Sequence, residues 1–130
     1  MLDEATLRAF LERLGWQATP HGPGTLRAIH ETREGPMTVY VRIDDNWVVA
    51  SVVPFLATGG DNSFELARWL LRMNRDMRMS MFAYDEDGDV VLVGELPTES
   101  LDYEELAGAL TALVDDATGH RATLRAAAAS

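Results

Sequence analysis

The chain has 130 residues, enough for one ordinary domain and too few for two with separate cores, and its 47% apolar and 25% charged residues are a globular balance. A net charge of -10 sets it against phosphate backbones and anionic membrane surfaces, so neither nucleic acid nor membrane is expected as a partner. The absence of cysteine excludes disulfides, thiolate metal sites and cysteine nucleophiles, and no run approaches the ~20 apolar residues of a membrane span. The first ten residues are acidic and amphipathic rather than signal-like, which predicts a cytoplasmic protein.

Leu7, Phe10, Leu11 and Leu14 recur at helical spacing with charged residues between them, predicting a first helix that Gly15 ends. Thr19 to Gly24 holds Pro20, Gly22, Pro23 and Gly24, which break either period and predict an irregular segment. A short strand follows over Leu26 to His30, with its turn at Arg33 to Pro36. Met37, Val39, Val41 and Ile43 then alternate with Thr38, Tyr40 and Arg42, the period of a strand with one wet face. After a tight turn at Asp44 to Asn46, Trp47 to Val53 is apolar on both alternating sets and is placed centrally in the sheet. Pro54 is expected to end it, since proline cannot donate to a ladder.

Pro54 to Asn62 is expected to be a loop with an apolar tip, Phe55-Leu56, and a Gly59-Gly60 pair. Asp61, Asn62 or Ser63 caps a second helix running to about Met77. Strands over Met79 to Tyr84 and Val90 to Leu96 are joined by Asp85 to Asp89. A third helix starts near Tyr103 and carries Leu106, Leu110, Leu113, Val114 and Ala117 as its apolar stripe; Gly119 is expected to stop it. The predicted architecture is α+β, an antiparallel sheet of about five strands with helices packed on it, in the order α-β-β-β-α-β-β-α. It forms a single domain over residues 1–120, followed by an alanine-rich tail over 121–130 that is either frayed helix or disordered.

No catalytic, cofactor-binding or metal-binding residue is assigned. Asp85 to Asp89 looks like the start of a calcium loop, but counting from Asp85 puts Val90 where the sharp turn needs glycine and Leu96 where the bidentate glutamate belongs. A hairpin explains the segment better. His21, His30 and His120 lack the spacing of a zinc site, and no serine sits in a nucleophile elbow. Gly59-Gly60 precedes a helix but lacks the Lys-Ser or Lys-Thr of a phosphate loop, and reads as a flexible connection. Glu104, Glu105, Asp115 and Asp116 read as acids on the wet face of the third helix. Met73, Met77, Met79 and Met81 read as core packing rather than an adaptable binding surface.

The second helix is more informative. At ~100° per residue, Leu66, Leu70, Met73 and Met77 gather on one side and Arg68, Arg72 and Arg75 on the other. Phe64 and Leu71 lie beside the arginines, where a core stripe does not need them. Arginine mixed with apolar side chains suits a protein interface; three arginines that merely solvate the face and pair with the chain's acids are the alternative. The candidate surface for a partner protein or a second copy is Phe64, Arg68, Leu71, Arg72 and Arg75, with Phe55 and Leu56 on the loop.

Leu70-Leu71-Arg72-Met73-Asn74, then Met81 to Leu92 with its acidic Asp87-Gly88 turn, then Glu95-Leu96-Pro97, resembles the YbjN-like family. That family shows a helix ending in Leu-x-x-x-Asn, a strand, an acidic Asp-Gly hairpin, a strand closing on Leu-Pro, and a final amphipathic helix. The resemblance implies a fold similar to type III secretion chaperones, a sensory-transduction regulator without established enzyme activity, and relatives that are acidic homodimers holding extended segments of a partner. The family's helical asparagine falls on Asn74, expected to tether backbone near the helix end. The expected function is therefore that of a non-enzymatic, homodimeric protein-binding domain without a cofactor. A small-molecule sensor with its ligand between sheet and helices, and a secretion chaperone for an effector, are the alternatives.

Overall fold

The computed structural model describes residues 2–129. The elements run α1 (Glu4–Leu14), β1 (Ala18–Pro20), β2 (Thr25–Thr32), β3 (Gly35–Asp44), β4 (Trp47–Leu56), α2 (Phe64–Asp76), β5 (Met81–Tyr84), β6 (Val90–Pro97) and α3 (Tyr103–Ala128). The sheet is antiparallel throughout, in the spatial order β1-β2-β3-β4-β6-β5. This is the predicted α+β architecture with one strand more than expected.

Local chemistry sets most boundaries. Asp3 accepts from the Thr6 N–H at 2.8 Å and opens α1; Gly15, at φ 91, turns left-handed and ends it. Ser63 caps α2 and Asp102 caps α3 in the same way as Asp3. The β2–β3 turn is confined to Arg33 and Glu34, because Thr32 pairs with Gly35 and Glu31 with Pro36. In β3, Met37, Val39 and Val41 are buried while Arg42 is exposed, as the alternation requires. In β4, Val48, Val49, Ala50 and Val52 are all buried, which fits a strand flanked on both sides.

Three sequence expectations are corrected. Ala18 to Pro20 forms a short edge strand on β2; Pro20 is its last residue, where a missing donor costs the ladder little. Pro54 does not end β4. The β3–β4 ladder already stops at Val39–Val52, and the β4–β6 register shifts between Val52 and Leu56, so Pro54 sits where no ladder bond is required of it. Gly119 does not end α3. Leu124 and Ala127 continue the buried stripe begun by Leu106, Leu110, Leu113 and Ala117, and that burial outweighs the ~1 kcal/mol a helical glycine costs.

The helices share one face of the sheet. Side chains of α3 pack over Val48, Ala50 and Leu96 of β4 and β6, with only about 10 Å³ of free space between them. That is at most room for a single water at this point of the layer. The helix α2 lies beside α3 and against β5, while α1 flanks the other side near β1.

Candidate partner-binding surface

The helix α2 buries Leu66 and Leu70 and turns its opposite side to solvent. On that outward side Phe64 is 79% exposed and Leu71 72% exposed, and Arg68, Arg72 and Arg75 are exposed around them. Arg68 lies over the Phe64 ring at 5.9 Å, and Arg72 over the Trp69 ring at 5.1 Å. Arg68 also reaches Glu65 at 3.8 Å, and Arg75 reaches Asp76 at 3.2 Å. Exposed pairs of this kind contribute only ~0–1 kcal/mol each, so they do not explain why two large apolar side chains stand in water beside them.

Phe55 and Leu56 do not belong to this surface. They close β4 rather than tip a loop, and are 1% and 7% exposed, with the Phe55 ring edge-on to Phe82 at 5.1 Å. Their apolar character is used in the core. Met79 and Met81 differ in the other direction: both are exposed, on and beside the edge strand β5, while Met73 and Met77 are half-buried against the core.

Asn74 does tether backbone, and its target is β5. Its Nδ2 donates to the Phe82 carbonyl at 3.0 Å, and its Oδ1 accepts from the Phe82 N–H at 2.7 Å. One side-chain amide thus satisfies both backbone groups that Phe82 turns away from β6, in the manner of a neighbouring strand. An asparagine near a helix end announced a tether; which strand it meets depends on the chain folding back eight residues later.

The remaining candidates resolve into structure. The Asp85 Oδ1 accepts from the N–H groups of Asp87 and Asp89, and Gly88 at φ 81 completes the hairpin turn. The Gly59 N–H donates to the Asp89 carboxylate at 2.7 Å, so a carboxylate of the chain itself occupies the place of an incoming anion. Thr58 and Asn62 both donate to the Gly88 carbonyl, and Gly88 could not carry a Cβ, which would stand 2.7 Å from the Gly60 Cα. The Gly59-Gly60 segment is therefore latched to the β5–β6 hairpin and is not a free connection. Asp116, expected in solvent, is half-buried and accepts from the buried Ser80 hydroxyl at 3.0 Å.

Among the described residues, no group of three or more His, Asp or Glu converges to hold a metal ion. A trough of about 590 Å³ is lined by Asn46, Trp47, Pro97, Thr98, Glu99 and Ser100, in which Glu99 is the one acid. Among them, too, no helix is long and apolar enough to cross a membrane.

This architecture is the fold of the type III secretion chaperones. The chain is 23% identical to the chaperone SycH of Yersinia pestis, solved with a stable fragment of YscM2; the match covers 89% of this chain and 97% of the other, at a TM-score of 0.62. It is 21% identical to a chain of the heterodimeric ExoU–SpcU complex from the type III secretion system of Pseudomonas aeruginosa, over 98% of both chains at a TM-score of 0.62. YbjN from E. coli matches over 94% of this chain and 93% of its own, at 15% identity and a TM-score of 0.67. Likenesses at this level of identity establish the fold. The chain belongs to the YbjN family, described as a putative bacterial sensory transduction regulator, whose model matches residues 3–126. No curated protein is similar to it in sequence.

Proposed function

We propose that the chain is a non-catalytic, chaperone-like protein-binding domain that engages a partner protein and forms a homodimer through the outward side of α2. The observation that carries this reading is the exposure of Phe64 and Leu71 opposite the buried side of the helix. Apolar side chains ringed by arginine are the composition of an interface core, not of a solvated helix face. Phe64, Arg68, Leu71 and Arg75 recur at intervals of four, three and four residues, the spacing along which two helices pack. Set antiparallel against a second copy, the stripe brings Phe64 toward Arg75 and Leu71 toward Arg68, so each layer pairs an apolar group with a guanidinium stem. A two-fold interface is self-complementary in this sense. The related structures solved with partner chains support the wider reading, that this fold is suited to holding other proteins.

Leu71→Asp tests it. The substitution places a charge at the centre of the stripe and leaves the buried side untouched. In light scattering the variant should have the mass of one chain where the natural protein has that of two, with an unchanged circular dichroism spectrum. An unchanged mass would remove α2 as the dimer surface.

A further inference from the structure

A groove of about 340 Å³ lies between the end of β4 and the last turns of α3. Its apolar wall is Pro54, Ala57 and Ala128, with the buried Phe55 and Leu56 beneath; its polar lining is Thr58, Arg121 and Arg125. Thr58 uses its hydroxyl on Asn62 and the Gly88 carbonyl. Arg125 reaches across to Glu34 in the β2–β3 turn at 2.8 Å. Arg121 is different: its Nε and Nη1 are buried and have no hydrogen-bond partner among the described residues. Two guanidinium groups therefore face one carboxylate, and that carboxylate is bonded to Arg125. In a chain of net charge -10 this is a local excess of positive charge. Burial and the neighbouring Arg125 hold the Arg121 pKa below its ordinary value, against the opposing pull of Glu34.

We propose that this groove binds a small carboxylic acid with a compact apolar body, its carboxylate held by Arg121 and its body against the wall formed by Pro54, Ala57 and Ala128. A guanidinium presents a planar fork that matches a carboxylate in charge and geometry. The volume falls in the lower part of the range of small-molecule sites, and an apolar wall with a few placed charged groups is their usual composition. A single negative charge balances the local excess; a phosphate dianion would overshoot it. None of these residues lies on the outward side of α2, so the groove stands or falls independently of the dimer.

The test is calorimetric titration of the full chain with benzoate, benzamide and inorganic phosphate at constant ionic strength. Benzoate should bind, benzamide should not, and phosphate should bind more weakly. Arg121→Gln should weaken benzoate by about tenfold or more, the loss of a charged contact. Glu34→Gln, which removes the competing carboxylate, should tighten it, and this variant keeps the test decisive if Arg121→Gln does not fold. Equal heats from benzoate and benzamide, phosphate binding as tight as benzoate, unchanged affinity in Arg121→Gln, or no tightening in Glu34→Gln would each overturn the assignment.

Discussion

Asn74 commits both ends of its amide to Phe82, and that pair of bonds fixes the edge of the sheet to α2. Removing it leaves one donor and one acceptor of a part-buried backbone without partners. Asn74→Ala should therefore cost about 1–3 kcal/mol in urea unfolding. It should also expose the β5 edge to pairing with other chains, seen as concentration-dependent turbidity. A loss below the error of the titration would make the tether ornamental. His30 supplies a second test at this scale. Its Nε2 is buried without a hydrogen-bond partner among the described residues, its ring meets Trp16 edge-on at 4.4 Å, and burial lowers its pKa. The unfolded chain thus binds the proton more readily than the folded one, so the proton-linked cost of His30 is absent at higher pH and destabilises the fold as pH falls through about 6.5. Between about pH 7.5 and 5.5 the natural protein should lose more melting temperature than His30→Phe; parallel curves would contradict this. Single residues were partly legible in the sequence: an asparagine near a helix end announced a tether, whereas nothing in the spacing of His30 or Arg121 announced burial without a partner, which depends on how distant elements meet.

At the scale of elements, periodicity carried far because each helix and most strands present one apolar face. The elements that escaped it have physical causes. The strand β1 holds together through pairing with β2, and three residues are too few to show a period. The end of β4 was hidden by Pro54, a signal that means "stop" in a regular ladder and nothing at an irregularity. The last turns of α3 were hidden by Gly119 and by alanines whose burial depends on their neighbours. Those turns are part of the core, and Leu124 is the residue that shows it: fully buried, it should cost about 2–4 kcal/mol on substitution with alanine. Denaturant midpoints measure this directly, and a change near zero would return the segment to the frayed tail that its composition suggests. Outward-facing Phe64 and Leu71 on α2 were legible as a departure from the helical stripe. Phe55 and Leu56 were not, because their place depends on β4 continuing past the proline.

For the whole molecule, the chemistry is uneven in a useful way. A chain with a net charge of -10 gathers three of its eleven cations on one side of α2, around the two most exposed large apolar residues among those described. Like copies repel at long range through their acids, so association through this stripe should strengthen with added salt, the reverse of a pure ion-pair contact. The central claim is that the outward side of α2 is covered in the assembled protein. Because the chain has no cysteine, one thiol placed at a chosen position reports its own environment. The decisive measurement is the maleimide reaction rate of Leu71→Cys against protein concentration, with Met81→Cys on β5 as the exposed reference. The account predicts that the thiol at position 71 becomes protected as concentration rises while that at position 81 reacts at a constant rate. Equal, concentration-independent rates at both positions would contradict it.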